Sequence, residues 1–168
     1  MSNQNNNDLL LFAARDGNVA EVCRLIPISD PKAYSSEALR LAAQYGRTEC
    51  VKLLIPVSNP KIQGSYALKI AADYGHTQCV ELLIPVSDPK ADKSQALQWA
   101  VANGHTQCAE LLYPVSERMV ALQQLQHDYP HDYTRWGQLY EMVEAERLRN
   151  TLNTEVGTTT TVKVQRKM

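Results

Sequence analysis

The chain has 168 residues, 44% of them apolar and 21% charged, enough for one ordinary domain with a buried core and too apolar for a disordered chain. Seventeen basic side chains stand against 18 acidic ones, and the net charge of −1 gives no pull toward nucleic acid or an anionic membrane. No apolar run reaches membrane-spanning length.

Residues 1–7 open the chain as a polar tail. The start, MSNQNNND, has neither a basic segment nor an apolar one behind it, so no secretory signal is read there. The four cysteines do not suggest a disulfide framework, and a reducing cytosol is the expected setting.

From residue 8 the chain repeats itself. Gly17, Gly46, Gly75 and Gly104 are spaced by 29 residues, and Pro27, Pro56, Pro85 and Pro114 keep the same interval. So do Ser29, Ser58, Ser87 and Ser116, and residues 46–74 share 16 of 29 positions with residues 75–103. A fixed period of this length is the signature of a stacked array. In SQALQWAVANG, residues 94–104, Ser94 is placed to cap a helix whose Ala96, Leu97, Ala100 and Val101 recur at helical spacing. Gly104 can take the left-handed conformation that closes it. A second helix begins near Thr106, carries Cys108, Leu111 and Leu112 on one face, and is ended by Pro114. Two such short helices bury their faces only against neighbouring copies.

The string SYALKIAADYGHTQCVELL, residues 65–83, resembles the ankyrin repeat, in which T-P-L-H-x-A-A-x-x-G-H precedes a V-x-x-L-L helix. The resemblance runs from residue 8 to about 115 and implies an all-α solenoid of about four helix-turn-helix repeats, at 8–36, 37–65, 66–94 and 95–115. Two departures stand out. The opening motif is replaced by Glu37-Ala38-Leu39-Arg40, Tyr66-Ala67-Leu68-Lys69 and Gln95-Ala96-Leu97-Gln98. The unit is also shorter than the family's, which is about 33 residues. The missing length lies where the family carries its β-hairpin, so a compact loop with little or no strand is expected.

After Pro114 the register is lost. Residues 116–129 read as a helix starting at once after Ser116, with Met119, Leu122 and Leu125 as its buried stripe. Residues 132–152 read as a longer helix with Trp136, Leu139, Tyr140, Val143 and Leu148 near one face. Together, residues 116–152 form a helical cap, and residues 153–168 are expected to be a disordered tail.

The residues that suggest chemistry fall into the repeat. Cys50, Cys79 and Cys108 share one register position. Stacked helices lie roughly 8–10 Å apart, whereas a disulfide needs Cα atoms within about 7 Å, so these thiols are expected to be buried packing groups. Cys23 is out of that register and is expected to be partly exposed. His76 and His105 follow the glycine where other units have Asn18 and Arg47; each of these side chains can donate a hydrogen bond between repeats. Trp99 aligns with Phe12, Leu41 and Ile70 and is expected in the core. His127 and His131 have the spacing of helix-borne metal ligands, but Pro130 lies between them, a loop is expected there, and no third ligand is at hand. No phosphate loop, nucleophile elbow or metalloprotease helix is found. No catalytic, metal or cofactor site is therefore expected.

The resemblance places a working surface on the concave side, built from the loops and from the residues between the alanine pair and the glycine. Those residues are Arg15, Asp16, Gln44, Tyr45, Asp73, Tyr74, Ala102 and Asn103. Tyr45 and Tyr74 combine large contact area with a polar tip, and Tyr66 and Tyr34 extend the patch toward the loops. Lys32, Lys61 and Lys90 form a row along the loops, interleaved with Asp30, Asn59 and Asp88. The reading is a non-enzymatic module that binds a protein partner through the concave surface, with no nucleic acid or membrane involved. The resemblance implies an adaptor or host-directed effector of bacterial type, acting in its own or a host cytoplasm. The alternative is an inhibitor or mimic, for example phage-encoded, that acts through the C-terminal helix and tail; that helix is also a candidate homodimer contact. An enzyme using Cys23 or the His127/His131 segment is the third possibility.

Overall fold

The computed structural model describes residues 3–165, with side chains from Gln4 to Asn153. Among the described residues there are ten α-helices and no strand. Eight of the helices form four pairs: α1 (Asn3–Asp16) with α2 (Val19–Leu25), α3 (Ala33–Gln44) with α4 (Thr48–Leu54), α5 (Ile62–Asp73) with α6 (Thr77–Leu83), and α7 (Ala91–Ala102) with α8 (Thr106–Leu112). Each pair turns at its glycine, and each second helix runs into a 3₁₀ turn that holds the recurring proline. Proline fits there because an early helical position needs no N–H.

The 29-residue period places one leucine of each helix in the same layer. Leu10, Leu39, Leu68 and Leu97 on the first helices are at most 1% exposed, and Leu25, Leu54, Leu83 and Leu112 on the second are fully buried. Each such burial contributes roughly 1.5–3 kcal/mol. The alanine pairs Ala13-Ala14, Ala42-Ala43 and Ala71-Ala72, with Ala100-Val101, are also buried. Their small side chains let α1, α3, α5 and α7 pack broadly on one another, whereas α2, α4, α6 and α8 meet less extensively. The face of the first helices that is turned away from this core forms the floor of the stack.

Between repeats the chain makes a left-handed turn of three residues, Tyr34–Ser36, Gln63–Ser65 and Asp92–Ser94, with φ between 50° and 62°. Non-glycine residues avoid this region because Cβ crowds the following carbonyl. A repeating hydrogen bond holds the turn: the buried hydroxyls of Ser36, Ser65 and Ser94 accept from the amides of Asn59, Asp88 and Glu117 in the next unit. Asn7 does the same for Asp30 in the first unit. Ser94 is therefore not the cap of its own helix, as its place in the sequence suggests. Its positive φ turns the hydroxyl onto the following loop.

The C-terminal helices cover the last repeat. α9 (Arg118–Asp128) packs on α7, with Ala121, Leu122 and Leu125 buried. Met119, expected in that stripe, is 54% exposed because Leu122 and Leu125 already fill the face toward α7. His127 lies within α9 rather than in the expected loop, which begins at Tyr129. α10 (Gly137–Gln165) packs on α9 through Leu139 and Val143, while Tyr140 and Leu148 of the expected buried face are exposed. The face is shorter than the spacing suggests, because α9 offers it only a few turns of contact.

Tyr113 pins this cap. It stands at the register position of Ile26, Ile55 and Ile84, and its hydroxyl donates to Glu146 Oε2 (2.6 Å) and to the Met142 carbonyl (3.1 Å). Arg118 donates to the other Glu146 oxygen at 2.8 Å and lies over the tyrosine ring. The tail expected to be disordered falls, from Thr154 on, outside the residues whose side chains are described.

Candidate functional site

On α3 the buried apolar positions are two adjacent pairs, Ala38-Leu39 and Ala42-Ala43. At 3.6 residues per turn this leaves Glu37, Arg40, Leu41 and Gln44 on the opposite face. The same positions in the neighbouring units are Asp8, Leu11, Phe12 and Arg15; Tyr66, Lys69, Ile70 and Asp73; and Gln95, Gln98, Trp99 and Ala102. Together they make the floor of the stack.

Phe12 is 53% exposed, Leu41 and Trp99 are half-buried, and only Ile70 is buried. Trp99 is thus not a core residue: the core at its level is filled by Ala96, Leu97, Ala100 and Val101. Its ring meets Tyr66 edge-on at 6.4 Å. Tyr66 in turn lies under two cations, Arg40 at 5.4 Å and Lys69 at 5.6 Å from the ring centre.

Lys69 is almost completely buried. Its ammonium is 2.5 Å from Asp92 Oδ2, supplied by the left-handed turn of the next unit. An ammonium in such a place needs a counter-charge. Asp92 is itself half exposed, so the pair ties the loop to the floor. Arg40 is bound to Glu37 and to Gln63 Oε1. Arg15 is bound to Asp16 at 2.8 Å, and that shared hydrogen bond moves the arginine pKa up and the aspartate pKa down.

The other residues expected from the sequence are distributed as follows. Tyr45 and Tyr74 are exposed, at 46% and 51%, at equivalent ends of α3 and α5. Gln44 Nε2 donates to the Tyr74 hydroxyl at 3.4 Å, and the Tyr74 ring stacks beside His76. Asn103 donates to Asp73 at 2.7 Å. Tyr34, on the first left-handed turn, accepts from Gln4 and donates to Asp8.

Lys32, Lys61 and Lys90 are exposed where the loops run into α3, α5 and α7, and no hydrogen bond ties them to the tyrosines among the described residues. Asp30, Asn59 and Asp88 are exposed beside them. Each accepts from the lysine backbone amide two residues on, a turn that asparagine makes as well as aspartate.

The recurring histidines and thiols belong to the junctions. His76 and His105 bond to the carbonyls of Gln44 and Asp73, and Arg47 donates to that of Arg15. Asn18, in the first pair, instead caps its own helix at Glu21. Cys50, Cys79 and Cys108 are buried free thiols, and burial pushes their pKa values up. Cys23 is exposed.

Phe12, Leu41 and Trp99 are the floor residues that the sequence reading assigns elsewhere. A usable signal was present: this register position changes size from leucine to tryptophan between units, while the alanine pair beside it hardly changes. A position confined by packing does not tolerate that range.

A second concavity, of about 610 Å³, lies between α9 and α10 and is lined by Arg118, Met119, Val143, Glu146 and Arg147 among others. Among the described residues, no group of three or more His, Cys, Asp and Glu side chains could hold a metal ion. No helix among them is long and apolar enough to cross a membrane. Residues 39–121 match the family model for ankyrin repeats (3 copies). No curated protein matches the chain.

Proposed function

Through residues 39–121 the chain belongs to the ankyrin-repeat family, and from that premise we propose that it is a non-enzymatic module that binds a partner protein across the floor of the stack. The supporting observation is the group of aromatic surfaces held there on rigid helices, Phe12, Tyr45, Tyr66, Tyr74 and Trp99. Aromatic side chains on a preorganised frame lose little entropy on binding and are enriched among residues that dominate interface energy. Lys32, Lys61 and Lys90, with Arg15, Asp16, Gln44, Asp73 and Asn103, supply a polar surround. An adaptor, or an effector delivered into a host cell, is the role this reading favours.

The test is affinity capture from the source cells with the full chain and with a Tyr45→Ala/Tyr74→Ala/Trp99→Ala variant, whose helicity is checked by circular dichroism. Partners that depend on the floor disappear from the variant. A folded variant that retains every partner overturns the assignment.

A second reading places the critical contact on α10. Leu148 and Leu152 are exposed at 62% and 61%, and Met119, itself exposed, lines the concavity between α9 and α10. Under that reading, Leu148→Ser/Leu152→Ser removes binding and the floor variant does not.

A further inference from the structure

We propose that the occupant of the floor is a partner's amphipathic helix, laid along the stack with an uncharged apolar face against Phe12, Leu41 and Trp99. This rests on the floor being the binding face.

The first argument is charge. Each cation on the floor is already matched within the chain: Arg15 by Asp16, Arg40 by Glu37 and Lys69 by Asp92. The two remaining floor carboxylates, Asp8 and Asp73, accept hydrogen bonds from Tyr34 and Asn103. The unmatched Lys32, Lys61 and Lys90 lie on the loops before the helices, so an acidic segment would find no unmatched cation on the floor itself and would lose its hydration there without compensation. A neutral apolar face loses nothing comparable.

The second argument is spacing. The row has one apolar side chain per repeat, accessible in all but the third, where Ile70 is buried, and packed helices lie roughly 8–10 Å apart. A helix advances about 1.5 Å per residue, so side chains seven apart lie about 10 Å apart on nearly the same face. Residues three apart in an extended strand cover a similar distance but point to opposite faces. A helix of about 21 residues spans roughly 30 Å and meets all four units. Gln44 ends α3, and Tyr45 and Tyr74 directly follow the last floor positions of α3 and α5, where its polar flank would begin.

The experiment selects peptides of about 21 residues from a displayed random library on the full chain. Binding is then measured to the wild type and to a Phe12→Gln/Leu41→Gln/Trp99→Gln variant shown by circular dichroism to be folded. The expected binders have apolar residues seven apart, become helical on binding, weaken at least about tenfold on the variant, and keep their affinity at roughly 0.5 M salt. Binders that need the three residues but are strongly charged and released by salt overturn the proposed occupant while leaving the floor as the binding face. Neutral binders with apolar residues three apart overturn it in favour of an extended, proline-type segment. Binders indifferent to the variant, or none at all, overturn the floor reading itself.

Discussion

His105 Nε2 stands 2.9 Å from the carbonyl oxygen of Asp73, and His76 Nε2 stands at the same distance from that of Gln44, each reaching back 32 residues into the preceding unit. Arg47 makes the equivalent bond to Arg15 through Nε. The register position therefore asks for a side-chain donor of suitable reach rather than for imidazole chemistry. His76→Ala is expected to leave the Gln44 carbonyl without this partner and to cost about 1–2 kcal/mol. His76→Arg is expected to recover most of that loss. Urea unfolding followed by circular dichroism checks both, and equal loss in the two variants would contradict the donor argument.

Gly75 and Gly104 separate two reasons for a glycine. Both have positive φ, +73° and +74°, where a side chain costs about 1–2 kcal/mol. At Gly75 a Cβ would also come within 2.5 Å of His105 Nδ1, whereas at Gly104 nothing lies within 4 Å, because α9 brings no equivalent ring. Gly75→Ala is accordingly expected to destabilise more than Gly104→Ala. Adding His105→Ala is expected to relieve part of the Gly75→Ala effect, and a double-mutant cycle measures that coupling.

Ser35, Gly64 and Lys93 occupy the middle of the three left-handed turns, with φ of 61°, 62° and 60°. Only the second of these units has the residue that favours this conformation. Ser35→Gly is expected to raise stability by about 0.5–1 kcal/mol, provided the relief in the folded turn exceeds the freedom gained by the unfolded chain. A higher urea midpoint with an unchanged slope is the result expected; a lower midpoint would contradict it.

The thiols and Tyr113 set the alkaline limit. Burial holds the pKa of Cys50, Cys79 and Cys108 above 9.0; burial, then the bond to Glu146, pushes Tyr113 up to about 12 from 10.0. Each group keeps its proton in the fold after the unfolded chain has lost it. The stabilisation is complete below pH 9 and is lost as pH rises through the folded values. Unfolding midpoints are expected to fall from pH 9 upward, with a further fall between pH 10 and about 12 that Tyr113→Phe reduces. At neutral pH a thiol reagent is expected to modify Cys23 promptly and the other three only after unfolding.

Much of the fold was legible because one register is written four times. Gly17, Pro27 and their copies mark the turns, the alanine pairs mark the packed face, and the 29-residue period leaves no length for a hairpin. The floor was less legible. Phe12 and Trp99 look like core residues by hydropathy alone, and only the placement of Leu39, Ala42 and Ala43 on the other side of α3 shows why their register position is open. Ser94 was misread because a serine before an apolar run signals a helix cap, and nothing local reports a left-handed backbone. The burial of Lys69 is not legible in the sequence, since its partner Asp92 lies 23 residues away in a turn that the pattern does not specify. Met119 and Leu148 follow a helical stripe correctly but extend past the surface that α7 and α9 offer them.

The serine-to-amide bond across each junction has a consequence for how such a chain can lengthen. The acceptor always comes from the earlier unit and the histidine or arginine donor from the later one, so every seam is made of two unlike halves that fit in one order only. Duplicating residues 66–94 would add a seam complete in both halves, and the trough would grow by one rung without any new contact having to evolve. Reversing a unit, or abutting two copies by the same end, would leave both halves of the seam unanswered.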